Sequence, residues 1–533
     1  MRKAIGIFVA TALLIVGSWW WRGVPVPMPV DAVAPGEKLH CLSYAPFRGA
    51  QTPLDPTTVI PLAQIEEDLA QLSRLTGCVR IYSVDMGLDR VPEVAERHGL
   101  QVLLGIWISG ETRRNQAQIA AGIALANRFP KTIRAVIVGN EVLLRGEQSA
   151  QGLKAIIETV RQQIKVPVTY ADVWEFWMQN RELAPAVDFV TVHILPYWED
   201  IPIPAADAAA HIASIRARVA AEFSGKEVLI GEAGWPSQGR MREGALPSPV
   251  AQARVLHDLL VAARTERFNV NLIEAYDQPW KRYLEGTVGG YWGLLDGRHQ
   301  VKFEWGKPVS NHPQWLWQAL AGVALGALVF GLGLGGGRAS DSVAAARLPL
   351  SLAAIAAAAG CFAPLAVEAT AIEGLGAIGW SRSLLQSGVA LAVPVAVASA
   401  LAHGSGIPAI EQVIGPRGKR RADSASRFLG IAVIATVVVA MEAGLGLVFN
   451  PRYLDFPFAA LTSAGVPLLV LSLLSGNGPI RPPAAERVIA ILLALSAIKI
   501  VWSETFANWQ ALWLAAMLLA LSVTLARARA AQD

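Results

Sequence analysis

From Leu39 to Tyr276, short runs of aliphatic and β-branched residues alternate with longer stretches whose apolar positions recur every three or four residues. The runs are LHCLSYA (39–45), CVRIYSV (78–84), QVLLGIW (101–107), IRAVIVGN (133–140), VPVTYAD (166–172), VDFVTVHI (187–194), KEVLIGE (226–232) and NVNLIEAY (269–276). Continuous apolar runs of this length read as strands buried on both faces. The stretches near Leu62–Leu75, Gln116–Phe129 and Val250–Ala263 place apolar residues at i, i+3 and i+4 and read as helices. Eight strand-then-helix units predict an α/β fold of the (β/α)8 barrel type. No GxGxxG turn follows the first run, so an open dinucleotide-binding sheet lacks its motif.

Outside this region the pattern changes. An apolar segment from Ala4 to Trp21 follows Arg2 and Lys3, and seven more lie near 315–335, 348–367, 384–402, 428–449, 458–475, 487–503 and 509–525. Most approach the ~17 to 25 residues that cross a bilayer as a helix. The first is read as an uncleaved anchor rather than a signal peptide, because Trp19, Trp20 and Trp21 form an interfacial belt and no small-x-small cleavage site follows. With it, eight all-α spans are expected. Loops assigned to the cytoplasm carry Arg338, Arg347, Arg417, Lys419, Arg420, Arg421, Arg427, Arg481, Arg487, Arg527 and Arg529, whereas the short external loops carry Arg382 and Arg452. That bias puts the barrel outside the cytoplasmic membrane, in the periplasm. The expected division is an anchor at 1–23, a barrel at 24–312 and a membrane domain at 313–533.

Composition agrees with a chain partly in lipid: 53% hydrophobic residues against 17% charged over 533 positions. The net charge of +4 is largely this topogenic charge and calls for no nucleic acid partner. Cys41 and Cys78 are read as small free core residues in preference to a disulfide. No Cys or His spacing of metal type occurs, so neither a metal nor another cofactor is expected.

The chemistry of a parallel barrel collects at the C-terminal ends of its strands. Glu141 closes the fourth run and Glu232 the seventh, so the two carboxylates are expected to face each other across the mouth. Such a pair suits cleavage of a glycosidic bond, one group protonating the leaving oxygen while the other attacks the anomeric carbon or activates water. Glu141, between IRAVIVGN and the apolar Val142, Leu143 and Leu144, is expected to keep its proton to higher pH than Glu232.

At these residues the chain resembles glycoside hydrolase family 17, the β-1,3-glucanases, and in particular its bacterial membrane-anchored members. The resemblance spans about 37–305 and rests on RIYSVD, VGNEVLLRG, TYADVWEFW, TVHILPYWED, IGEAGWPS and EAYDQPWKRYLEGTVGGYWGL. It implies a retaining mechanism, with Glu141 as acid/base, Glu232 as nucleophile and Asn140 on the sugar 2-hydroxyl. LSYAPF departs from the Gly-rich start of the plant members, which leaves Tyr44 without a matched role.

Tyr44, Tyr82, Trp107, Trp174, Tyr197, Trp235, Tyr276 and Trp280 lie at or just beyond strand ends and are candidate sugar-stacking groups, with loop packing as the competing role. His193 reads as a hydrogen-bonded residue that orients a neighbour. Glu442 and Lys499 fall inside apolar segments and are expected to pair. The expected partners are β-1,3-glucan and the lipid bilayer, with a glucan synthase or export complex as a further candidate. Hydrolysis and transglycosylation share one intermediate and both stay open; a non-catalytic glucan-binding or export-assembly role is the alternative.

Overall fold

A computed structural model describes residues 2–34, 36–335, 342–415, 424–474 and 482–528. Two compact units emerge: residues 26–238 with 244–309, and residues 1–25 with 239–243 and 310–533.

The first unit is a closed barrel of eight parallel strands in sequential order. They are β1 Cys41–Ser43, β2 Cys78–Ile81, β3 Gln101–Ile106, β4 Ile133–Asn140, β5 Val168–Val173, β6 Val190–His193, β7 Val228–Ala233 and β8 Val270–Leu272. Every apolar run in the sequence supplies one strand, and helices such as Leu62–Leu72, Thr112–Arg128 and Pro249–Glu266 follow them. Ser248 caps the last of these, its Oγ accepting from the Ala251 N–H at 3.0 Å ahead of Pro249.

Strand alternation sorts the core into two layers. Outward-facing Leu42, Val79, Val102, Val136, Val168, Val190, Val228 and Val270 pack under the helices. Cys41, Cys78, Leu103, Ala135, Ile137, Ala171 and Leu229 fill one inward layer. Within it Cys41 and Cys78 form a disulfide, which corrects the expectation of free thiols. Leu42 pairs with Val79 in register, so the preceding cysteines lie opposite each other on the inner face with Cα atoms 4.4 Å apart. That register is invisible in a list of apolar runs.

The second unit is helical. Helices cover each of the eight apolar segments among the described residues, and six are long and apolar enough to cross a membrane: Arg2–Gly23, Trp315–Gly335, Arg347–Glu373, Gly376–His403, Ser426–Phe449 and Trp509–Ala526. The expected count of eight therefore falls to six by that measure. Phe458–Leu474 has 17 residues, and Ala484–Glu504 carries Glu486, Arg487, Lys499 and Glu504. The helix Arg2–Gly23 packs closely on its neighbours: Trp19 Nε1 donates to the Gly360 carbonyl at 3.0 Å, and Arg22 donates to that of Cys361 at 2.7 Å. Glu442 faces Arg382 at 3.7 Å, and no ion pair joins it to Lys499 among the described residues, which corrects the expected pairing. Arg338, Arg417, Lys419, Arg420, Arg421, Arg481 and Arg529, on which part of the charge bias rests, lie outside the described residues.

Candidate active site

The fourth strand ends abruptly. Gly139 has φ +90°, and a Cβ there would come within 2.6 Å of Val142 Cγ2, so the position needs glycine. Glu141 itself adopts φ +53°, a conformation that side-chain-bearing residues rarely hold and that tends to mark functional strain. Its N–H donates to the Ala171 carbonyl at 2.8 Å, tying the turn to β5. This turn brings the Glu141 carboxylate to the inner face of β6, where His193 Nδ1 lies 2.7 Å from Oε1.

Across the mouth, Glu232 sits in β7, opposite His193 in the ladder. It is buried, and its Oε1 accepts from the Tyr82 hydroxyl at 2.9 Å and from Arg80 Nη1 at 3.2 Å. Arg80 joins the whole group. Buried in β2, it also donates to the Gly231 carbonyl at 2.6 Å and to Asn140 Oδ1 at 2.5 Å, and its Nη1 lies 3.2 Å from His193 Nε2. A Cβ on Gly231 would meet Thr191 Cγ2 at 2.5 Å, so glycine permits this close packing beside the guanidinium.

Oxygens of Glu141 and Glu232 and a ring nitrogen of His193 lie within 4.8 Å of one another, close enough to ligate one metal ion. The donor set does not fit one, because the Arg80 guanidinium already lies 3.2 Å from both Glu232 and His193 and would repel a second cation.

The charges around Glu141 run against the expectation that it holds its proton to raised pH. Burial pushes its carboxyl up, but the hydrogen bond and charge of His193, with Arg80 and Arg145, outweigh burial and hold it below the ordinary range. Flanking apolar residues in the sequence therefore misled, since the carboxylate points to the cationic side of the mouth. Glu274 at the end of β8 behaves in the opposite way. It is buried, and although Lys281 donates to it at 2.7 Å, burial raises its carboxyl to about 7.

Of the candidate sugar-binding residues, Tyr82 donates directly to Glu232, and Asn140 joins the group through Arg80. Trp107 is half-buried, with the Arg145 guanidinium 4.2 Å from its ring, and Trp174 and Trp280 keep partly exposed rings. Tyr44, Tyr197, Trp235 and Tyr276 are buried in packing and offer no open face, which corrects their assignment as stacking surfaces. Tyr44 donates to Asp68 at 2.9 Å and Tyr276 stacks on His299 at 4.0 Å. Tyr197 packs edge-on against Trp198, Trp235 and Trp292. The sequence reading passed over Arg80 and Glu274. Each carried a signal, a lone charge inside an apolar run (CVRIYSV and NVNLIEAY).

Two carboxylates held by fixed donors at the strand ends of a (β/α)8 barrel define a glycosidase-type site. In agreement, residues 41–293 match the model of the BtgE/BtgC glycoside hydrolase domain, and the chain is a glycosidase-type enzyme. A glucan 1,3-beta-glucosidase of Candida albicans is 26% identical over 275 residues, covering 47% of this chain and 88% of that protein. One of Saccharomyces cerevisiae is 24% identical over 260 residues, covering 45% and 83%. Among solved structures, an active-site mutant of Rhizomucor miehei beta-1,3-glucanosyltransferase in complex with laminaritriose is 22% identical, covers 52% of this chain and 98% of its own, and has a TM-score of 0.45.

Proposed function

We propose that the barrel cleaves β-1,3-glucan by double displacement, with Glu232 as nucleophile and Glu141 as acid/base, and passes the glucosyl unit to water or to a sugar hydroxyl. The observation that carries this reading is that one oxygen of each carboxylate lies within 4.8 Å of the other, a close approach of the kind retaining enzymes need, whose carboxyl groups stand ~5 to 5.5 Å apart. The names of the two yeast relatives support the choice of β-1,3-glucan.

In the first step a Glu232 oxygen bonds to the anomeric carbon as the glycosidic C–O bond breaks, and the Glu141 carboxyl gives its proton to the departing oxygen. In the second, the Glu141 carboxylate takes a proton from the acceptor hydroxyl, which attacks the same carbon and releases Glu232. Glu141 starts from a low setting, with its side chain 22% exposed. A sugar seated over it completes its desolvation, the one influence that already acts to raise it. Asn140 accepts from Arg80 through Oδ1, which leaves its amide N–H to donate to the sugar 2-hydroxyl in this reading.

Membrane attachment and a barrel in the periplasm belong to the same proposal, supported by the six apolar helices and by the loop charges. Laminari-oligosaccharides incubated with the full chain test the activity: β-configured shorter products indicate hydrolysis, longer ones transfer. Glu232→Ala should lose turnover yet give an α-glucosyl azide from an activated donor in azide, and Glu141→Ala should spare activated aryl glucosides while losing natural substrate. Full activity of Glu141→Ala on laminari-oligosaccharides would refute the assignment. A reporter fused near Ser310 should be active only when it reads the periplasm.

A further inference from the structure

Two helices that fall short by length or by charge run the height of the helical unit. Phe458–Leu474 lies along Trp509–Ala526, itself among the helices long and apolar enough to cross a membrane. At one end Phe458 meets Trp509 with ring centroids 5.2 Å apart, and Trp513 Nε1 donates to Thr462 Oγ1 at 2.7 Å; at the other, Arg527 reaches the Ser472 carbonyl at 3.5 Å. Ala484–Glu504 runs beside the same helix in the opposite direction, with Ser522 Oγ on the Ala490 carbonyl at 2.7 Å and Asn508 Nδ2 on Glu504 at 2.9 Å. Whatever thickness Trp509–Ala526 crosses, both neighbours cross with it. At ~1.5 Å per residue, the 17 residues of Phe458–Leu474 cover ~26 Å, enough for a bilayer core. The charges of Ala484–Glu504 do not oppose a crossing. Glu486 and Arg487 stand in its first turn and Glu504 closes it. Lys499 is exposed three residues before Trp502, so its stem can lie along apolar surface with the amine among headgroups.

The exposed tryptophans of this unit gather toward one end. Trp20 and Trp21 lie in the last turn of Arg2–Gly23, Trp317 in the first turn of Trp315–Gly335, and Trp380 near the start of Gly376–His403. Trp502 lies in the last turn of Ala484–Glu504, and Trp509 and Trp513 in the first two turns of Trp509–Ala526. Contacts bring these ends together. Arg22 bonds the Cys361 carbonyl, the adjacent Phe362 stacks on Trp513 at 5.7 Å, and Gln318 bonds Glu368 of the same helix at 3.0 Å. That helix ends at Glu373, and Gly376–His403 starts three residues later. The opposite ends carry Arg347, Arg427, Arg487 and Arg527, with Phe428 as an exposed aromatic among the described residues.

We propose that these tryptophans form a girdle that seats the helical unit in one headgroup layer of a bilayer, and that Phe458–Leu474 and Ala484–Glu504 cross with the other six helices. The girdle rests on the membrane attachment proposed above and adds to it a surface, its lipid partner and two crossings. An indole joins a wide apolar ring to an N–H donor, which suits the boundary between hydrocarbon and water. Exposed apolar side chains such as Leu320, Leu391, Ile431, Leu495 and Leu519 continue from the girdle toward the other end, as a hydrocarbon-facing surface requires. A protein partner would cover a patch on one side. Arg2–Gly23 packs on Trp315–Gly335 and on the helix ending at Glu373, whereas Ala484–Glu504 packs on Ser424–Phe449 and Trp509–Ala526. The exposed rings therefore stand on different sides of the bundle, and a layer can cover them all.

The test places single cysteines in the full chain on a Cys361→Ser background and treats spheroplasts with a membrane-impermeant maleimide. Asn450→Cys and Ala507→Cys, on the tryptophan side, should label at least tenfold faster than Ala484→Cys, which should react only once the cells are opened. The reverse pattern would support the crossings and count against the periplasmic barrel. Equal labelling of Ala484→Cys and Ala507→Cys in intact spheroplasts would overturn the proposal. Depth is read in lipid nanodiscs as the fluorescence lost in Trp502→Phe and in Trp380→Phe. A nitroxide on the lipid headgroup should quench that component at least twofold more than iodide in the water or a nitroxide at mid-chain. Stronger quenching by iodide, as for rings that await a protein partner, or by the mid-chain nitroxide would overturn the girdle while leaving membrane attachment intact. Release of the chain from membranes by alkaline carbonate would remove membrane attachment and the girdle together.

Discussion

Replacing Arg80 by methionine should damage the site more than any change outside the two glutamates. The guanidinium is 1% exposed and donates to Glu232, Asn140 and the Gly231 carbonyl, and its ring contact with Tyr82 is 4.7 Å. Hydrogen bonds to charged groups contribute ~1.5 to 3 kcal/mol each, but these three belong to one network and do not add. The better bound is the ~3 to 5 kcal/mol lost when one partner of a buried ion pair is removed and the other stays charged. Glu232 would keep the Tyr82 hydroxyl at 2.9 Å, with His193 Nε2 3.5 Å away. Two readouts follow. The melting temperature of the barrel should fall by roughly 10 °C, at ~2 to 4 °C per kcal/mol for a domain of this size. Turnover of laminari-oligosaccharides should fall as well, because Glu232 and Asn140 lose their shared donor. Arg80→Lys, which keeps the charge without the fork, should restore most of the stability but not the contact with Asn140. An Arg80→Met enzyme with parental turnover and a melting temperature within 2 °C of the parent would refute the reasoning.

Three further outcomes are expected. His193→Asn removes the hydrogen bond and charge that most lower the Glu141 carboxyl, so the basic limb of kcat/KM should move to higher pH; an unmoved limb would leave His193 a packing role only. Reducing the Cys41–Cys78 bond, which spans 37 residues, should cost about 4 kcal/mol by loop entropy, read as a drop in melting temperature that Cys41→Ser reproduces. Glu274 has its folded value raised to about 7 against ~4.3 unfolded, so its contribution is fully present below pH ~4.3 and is lost as pH rises through 7. That contribution is about 3 to 4 kcal/mol, and Glu274→Gln should flatten this part of the melting-temperature profile.

The barrel was legible because each strand announces itself as an unbroken apolar run, and because two strand-end glutamates fall in runs four and seven. What the sequence hid depends on register and on direction. Cys41 and Cys78 are 37 residues apart, and only the β1–β2 pairing makes them neighbours. The aromatics near the strand ends look alike in sequence, yet Trp107, Trp174 and Trp280 keep partly exposed rings, whereas Tyr197 and Trp235 turn into a cluster beneath the loops. Strand alternation separates inner from outer positions within a strand, but it has no purchase on a loop residue past the last ladder bond. Lys499 was paired with Glu442 on depth alone, while the contact that forms joins Glu442 to Arg382 on an adjacent helix.

The proposed division of labour between the two glutamates rests on how each is held. The sequence suggested assigning the acid by its apolar neighbours, and the cations around Glu141 remove that criterion. Grip supplies another. Glu232 lies within a strand, 4% exposed, with one oxygen fixed by both Arg80 and Tyr82. A nucleophile needs that rigidity, because attack on the anomeric carbon tolerates little error in distance or angle. Glu141 stands one residue beyond its strand in a left-handed turn, held through its side chain by His193 and open to solvent on one side. An acid/base has to meet a leaving oxygen in one step and an acceptor hydroxyl in the next, so some exposure and a single tether suit it. Arg80 touches Glu232 and Asn140 together: one guanidinium fixes the carboxylate proposed to attack and the amide proposed to read the 2-hydroxyl, so in this proposal nucleophile and sugar share a common support.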